Sequence, residues 1–212
     1  MKYQCVIWDW NGTLADDVQA SLQATNAILA KRNRPPITLE QYYSYIDTPI
    51  SRFYEHLFDL NEVSMEVIGA EFYSFYPRYF EGLHSGAVEL LRTLHGSGIR
   101  QVILSSGHRD NVERDMARLG ILPYFDEILA ADDLLAESKK ARGLHWIQTQ
   151  DSAPSQMVMI GDTLHDYATA RAMGIDCILC AIGHQSEADL LTAGVPVVHG
   201  YDQLARLLAG SG

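Results

Sequence analysis

Cys5-Val6-Ile7-Trp8-Asp9-Trp10-Asn11-Gly12-Thr13-Leu14 joins a short apolar run to an acid and a glycine-relaxed loop. Cys5 to Trp8 has the length and side chains of a buried strand, which leaves Asp9 at its carboxyl end. In an open parallel α/β sheet, ligands bind beyond the carboxyl ends of the strands, where neighbouring loops diverge. A lone Asp at such an end is weak evidence, because Asp equally forms turns and caps helices.

Runs of the same kind recur at Gln101 to Leu104, Glu127 to Ala130, Met157 to Ile160 and Cys177 to Cys180. Between them, Ala87 to His95, Asn111 to Leu119, Lys139 to Gln150 and Tyr167 to Met173 carry apolar residues at helical spacing. Gly96, Gly120 and Gly174 follow as left-handed stops. The alternation predicts an α/β fold, a Rossmann-like parallel sheet with helices on both faces. Two more of these strands end in polar residues, the second in Ser105-Ser106-Gly107 and the fourth in Gly161-Asp162-Thr163-Leu164-His165-Asp166. With Asp9 they gather carboxylates, a hydroxyl and glycine-eased loops around one crevice. Such a set suits a phosphoryl group and Mg²⁺, which takes hard oxygen ligands.

Between about residues 15 and 85 the strand signal stops and aromatic residues are dense. Val18, Leu22 and Leu29 fit one helix, ended by Pro35-Pro36, and Thr38 with Gln41 has capping-box spacing for a second. Ile50 to Leu57 and Met65 to Tyr79 complete about four helices, with Tyr42, Phe53, Tyr54, Phe58 and Tyr76 among the aromatics expected to fill a small core. The predicted organisation is a core of residues 1–14 and 86–212 with an inserted helical cap domain of residues 15–85.

A chain of 212 residues that is 47% hydrophobic can bury one core and a smaller second domain. Its formal charge of -11 offers no basic stripe, so nucleic acid is not an expected partner. No apolar run approaches the length that crosses a bilayer, and no secretory leader pattern opens the sequence, so a cytoplasmic protein without a membrane partner is expected. Cys177 and Cys180 have C-x-x-C spacing, but residues three apart on a strand face opposite ways. They are predicted to be buried small hydrophobes and not a redox or zinc pair.

On these residues the chain resembles the haloacid dehalogenase superfamily of hydrolases, in its capped phosphatase group, which is phosphoglycolate phosphatase-like and β-phosphoglucomutase-like. The likeness covers essentially the whole chain. The family's first motif, D-x-D-G-T-L, is matched by Asp9 to Leu14, and the second, a Ser or Thr after an apolar strand, by Ser105. The third, a lysine ahead of a helix, is matched by Lys139, with Lys140 as the neighbouring alternative. The fourth, G-D-x-x-x-D, is matched by Gly161, Asp162 and Asp166.

The resemblance implies that Asp9 is a nucleophile forming an aspartyl-phosphate. It implies Mg²⁺ held by Asp9, the main-chain carbonyl of Asn11 and Asp162, with Asp166 at the metal site orienting metal-bound water. Ser105 and the amides of Ser106 and Gly107 would hold phosphoryl oxygens, and Lys139 would add positive charge. Gly12 would let the chain turn tightly, and Thr13 would hold the loop by hydrogen bonds. Arg52 lies where some similar sugar-phosphate enzymes place a phosphate-binding arginine, and His108, Arg109 and His165 follow motif loops. The implied substrate is a small phosphorylated metabolite, and the implied assembly a monomer or homodimer.

One position departs from the family. Its phosphatases carry a second Asp two residues after the nucleophile, as general acid and base, whereas this chain has Asn11. An amide can keep the geometry and donate a hydrogen bond, but it cannot trade protons near neutral pH. Acid–base help is worth ~10²–10⁴ in rate, so alkyl phosphates should be hydrolysed slowly. Three readings follow. The first is a phosphatase that is slow or restricted to activated leaving groups. The second is a phosphonatase-like carbon–phosphorus hydrolase, although Asp47-Thr48-Pro49-Ile50-Ser51-Arg52 lacks that family's cap lysine and Lys31 is the insertion's only lysine. The third is a catalytically weak phosphate- or metal-binding module. Dehalogenation, which needs no metal-binding acids, fits least.

Overall fold

The computed structural model describes residues 2–132 and 138–210. Packing divides the chain into two compact units, Met1–Ala15 with Leu83–Gly212, and Asp16–Gly82.

The larger unit holds a parallel sheet of β1 (Cys5–Trp8), β2 (Arg100–His108), β3 (Glu127–Ala131), β4 (Met157–Gly161), β5 (Asp176–Cys180) and β6 (Val197–Val198), in the order β3-β2-β1-β4-β5-β6. β1 is therefore flanked on both sides, with Ile7 opposite Val102 of β2 and Met159 of β4. Buried on both faces, such strands read as continuous apolar runs, which is why the sequence exposes them so clearly. Cys5, Ile7, Val102, Leu104, Met157, Met159, Cys177 and Leu179 share one core layer with Trp146 of α7 (Lys139–Ile147) and Met173 of α8 (Leu164–Met173). The opposite face carries Trp8, whose indole N–H donates to the Gln101 side chain at 3.2 Å, and Gln101 in turn donates to the Leu91 carbonyl of α5 (Ala87–Gly96) at 2.9 Å. Cys177 belongs to the first layer and Cys180, three residues on, does not. Both thiols are buried and free.

The structure differs from the expected elements at identifiable places. Gly96 is helical and does not stop α5; the left-handed residue is Gly98, with φ 73°. β2 runs on through Ser105 to His108, with a register shift against β3 after Leu104, so its polar end is still strand and α6 starts at Arg109. β6 is two residues long and carries no pattern of its own. α9 (Glu187–Leu191) and α10 (Tyr201–Ala209) close the chain and were not expected.

The smaller unit contains α1 (Val18–Lys31), α2 (Leu39–Tyr45), α3 (Ser51–Glu55) and α4 (Met65–Phe75), followed by a 3₁₀ turn at Tyr76–Arg78. Thr38 and Gln41 form the capping box that starts α2. Val18, Leu22, Ile28, Tyr42, Phe53, Tyr54, Phe58 and Ile68 make one core. Buried Asp17, just before α1, accepts from the Tyr76 hydroxyl at 2.9 Å and so ties the first helix to the last turn. Ile68 is fully buried within this core. Ile68→Ala should therefore lower the unfolding free energy by about 2–5 kcal/mol in urea denaturation, the cost of lost transfer energy plus a cavity; a change below about 1 kcal/mol would mean the cluster collapses around the gap.

Candidate active site

Because β1 lies between β2 and β4, the three polar strand ends stand side by side. The Asp9 N–H donates to the Ile160 carbonyl at 2.9 Å, so the acid is still held in the sheet. The chain then reverses at Gly12, with φ 73°. A Cβ on Gly12 would also lie 2.2 Å from Asp162 Oδ2. Glycine is thus required twice, by the turn and by the approach of the fourth-motif acid. The Thr13 hydroxyl donates to Asp162 Oδ1 at 2.9 Å, which fastens the first loop to the β4 end.

The three acids have different surroundings. Asp166 closes a capping box with Thr163 at the start of α8. Its Oδ2 accepts from the Asp162 N–H, the Thr163 N–H and the Thr163 hydroxyl at 3.1, 3.0 and 2.7 Å. Its Oδ1 accepts from Lys139 at 2.5 Å. Asp162 is held by Thr13 and, on Oδ2, by the His184 N–H at 2.6 Å. Asp9 accepts a short hydrogen bond from Lys139 on Oδ1, while among the described residues Oδ2 has only a long contact of 3.5 Å from Thr13.

Lys139 is the first residue of α7, behind the N-cap Ser138, and is 4% exposed. Lys140 is exposed, so the buried ammonium between Asp9 and Asp166 is that of Lys139. Ser105 is buried in the irregular stretch of β2, and its Oγ accepts from the Gly107 N–H at 3.0 Å, leaving the hydroxyl hydrogen to donate elsewhere. Arg142, one turn into α7, donates to the Ser105 carbonyl at 2.7 Å. The Asn11 amide oxygen lies 3.7 Å from where a Cβ on Gly107 would sit, which places this side chain at the Ser105 loop. Ser106 is exposed and Gly107 half-buried.

Other candidates are occupied elsewhere. Arg52 belongs to the helical unit and pairs there with Asp47 at 3.2 Å. Lys31 pairs with Glu71 at 2.6 Å. His108 caps α6, accepting from the Asp110 N–H, and Arg109 is engaged by Asp132, Glu113 and the Ile128 carbonyl. His165 is half-buried at the start of α8; burial first, and then the Lys139 charge, hold its imidazole below the usual value. Of the residues that hold the acids in place, sequence reasoning named Lys139 and Thr13 and missed Thr163 and His184. Thr163 was legible, since T-x-x-D is capping-box spacing. Nothing local marked His184.

Burial pushes the Asp9 carboxyl well above its ordinary value, with Lys139 opposing, and burial likewise raises Asp162. Burial acts on Asp166 too, but there Lys139 and the Thr163 hydrogen bond outweigh it and hold the group low. Burial alone would lower the Lys139 ammonium, yet Asp166 and Asp9 raise it above the usual lysine range. Asp9, Asp162 and Asp166 each present an oxygen within 4.8 Å of the others. That is close to the ~4.2 Å separating opposite ligands of an ion with ~2.1 Å bonds. Three neighbouring buried carboxylates, two of them sharing one ammonium, form a set of hard donors short of positive charge, which fits a small divalent cation. Lys139→Met should destabilise the metal-free protein by about 3–5 kcal/mol in urea denaturation, because it strands two buried carboxylates; a loss below about 1 kcal/mol would mean that water reaches them freely.

The family model described as haloacid dehalogenase-like hydrolase matches residues 6–180. A phosphoglycolate phosphatase of Photobacterium profundum is 24% identical over 96% of this chain and 93% of its own. One from Xylella fastidiosa is 29% identical over 87% of this chain and 82% of its own. Among solved structures, a haloacid dehalogenase-like family hydrolase from Streptococcus pneumoniae superposes with a TM-score of 0.86 at 20% identity, over 98% of this chain and 99% of that one. The family match spans most of the sequence, from β1 to β5, and on that ground this chain belongs to the haloacid dehalogenase-like hydrolase family, as an enzyme of its phosphatase kind.

Proposed function

We propose that this hydrolase removes phosphate from a small phosphorylated metabolite by attack of the Asp9 carboxylate on phosphorus, with Mg²⁺ held by Asp9, Asp162 and the main-chain carbonyl of Asn11. The observation that carries the reading is the convergence of Asp9 and Asp162 beside the buried Lys139 ammonium. Asp9 is the acid with lone pairs to spare, since Lys139 takes one oxygen and, among the described residues, only a long Thr13 contact reaches the other. Bound Mg²⁺ would neutralise the meeting of two anions and polarise the phosphoryl group.

The chain's own groups do the rest. Asp9 displaces the leaving oxygen and becomes an aspartyl-phosphate; water then attacks phosphorus and frees Asp9. The Ser105 hydroxyl and the amides of Ser106 and Gly107 hold phosphoryl oxygens, and Lys139 adds charge where negative charge spreads in the transition state. Asp166, with both oxygens engaged, acts from behind by keeping Lys139 and the Thr163 loop in place. No role is assigned to Arg52, whose partner is Asp47.

Asn11 shapes the substrate range. Its amide can hydrogen-bond a leaving oxygen but not protonate it, which favours acyl and aryl phosphates over alkyl ones. The named relatives make 2-phosphoglycolate the first alkyl phosphate to compare. The carbon–phosphorus reading is weaker, because Lys31, the insertion's one lysine, lies in an ion pair with Glu71.

Two outcomes are expected. Turnover of acetyl phosphate and p-nitrophenyl phosphate should require Mg²⁺ and vanish in Asp9→Asn; persistence in that variant sinks the nucleophile assignment. Asn11→Asp should raise kcat/KM for 2-phosphoglycolate by about 10²–10⁴ and much less for acetyl phosphate, as restored acid–base help predicts. Equal gains on both substrates would count against the leaving-group argument.

A further inference from the structure

The carbonyls of the nucleophile loop are held by side chains from far along the chain. The Gly12 carbonyl accepts from His84 Nε2 at 3.0 Å and the Thr13 carbonyl from the Tyr201 hydroxyl at 2.7 Å. The Leu14 carbonyl accepts from the His84 main-chain N–H at 3.0 Å. Since a carbonyl only accepts, the His84 ring carries its hydrogen on Nε2. Tyr201, the first residue of α10, is buried and stacks on Trp8 at 6.3 Å between ring centroids, with His84 on from it at 6.5 Å. The aromatic row Trp8–Tyr201–His84 therefore supplies both donors from a rigid base.

These bonds fall where the loop is softest. The Asn11 carbonyl lies in the peptide plane shared with Gly12, and peptide planes are stiff, so its direction is set by ψ of Asn11 and φ of Gly12. Glycine is the residue freest to rotate there. With the next two carbonyls fixed, and Gly12 held at φ 73°, little of that freedom is left.

We infer that His84 and Tyr201 are positioning residues for the cation. They fix the direction of the Asn11 main-chain carbonyl and so set the affinity for Mg²⁺, which makes the C-terminal helix part of the site. The inference rests on the reading of Asp9, Asn11 and Asp162 as the Mg²⁺ site.

The test is a calorimetric titration of the full chain with Mg²⁺ alone, without substrate, on wild type, Tyr201→Phe, His84→Leu, His84→Gln and Asp162→Asn. Tyr201→Phe keeps the stacked ring and removes only the hydroxyl. It and His84→Leu should each weaken Mg²⁺ binding about five- to tenfold, the effect of one hydrogen bond. His84→Gln, which restores an N–H donor, should recover most of the loss. A purely structural role would lower the melting temperature and leave the Mg²⁺ dissociation constant alone. Dissociation constants within twofold of wild type in both Tyr201→Phe and His84→Leu, with binding lost in Asp162→Asn, overturn the inference. If wild type binds no Mg²⁺, or Asp162→Asn binds it as wild type does, the metal reading fails and the inference with it.

Discussion

The contact on which the site depends is the Lys139 ammonium lodged between Asp9 and Asp166. It joins three pieces of chain, the end of β1, the start of α7 and the start of α8. A buried charge is tolerated only when paired and hydrogen-bonded, and all three groups meet that condition through one another. Holding Asp166 ionised lets its other oxygen accept three donors from the Gly161–Thr163 turn, so the loop that carries Asp162 takes its shape from the same pair.

The three carboxylates differ less in position than in how fully they are used. Asp166 is saturated with donors and behaves as structure. Asp162 is fixed by one hydroxyl and one amide and keeps lone pairs for a cation. Asp9 is the least satisfied of the set and the one placed at the end of the central strand. Burial raises the carboxyl proposed to react, and the neighbouring Lys139 charge opposes that rise.

Much of this was legible before any coordinates. Cys5–Trp8 is a strand to the residue, because a strand buried on both faces has to be apolar without a break. The acids stood out because three strand ends carried polar groups together, where one alone would have been weak evidence. What failed to show had no periodicity to show it. β6 is too short, and the polar tail of β2 looked like loop because Ser105 to His108 lie in a stretch of shifted register. α8 begins at Leu164 and not at Tyr167, since Asp166 is a capping residue as well as a motif acid. His84 and Tyr201 donate to carbonyls 72 and 188 positions away and His184 to a carboxylate 22 away, and no local pattern announces such bonds.

The strand order carries a consequence for how the chain comes together. β1 is the first strand in the chain but sits in the middle of the sheet, and its two partners begin at Arg100 and Met157. During synthesis one edge stays bare until β2 has left the ribosome and the other until β4 has, and bare strand edges recruit other chains. The insertion that follows β1 has its own apolar cluster and can gain structure in that interval. The acid proposed to react is thus translated before β4 and α8, and its surroundings are complete only after both have been made.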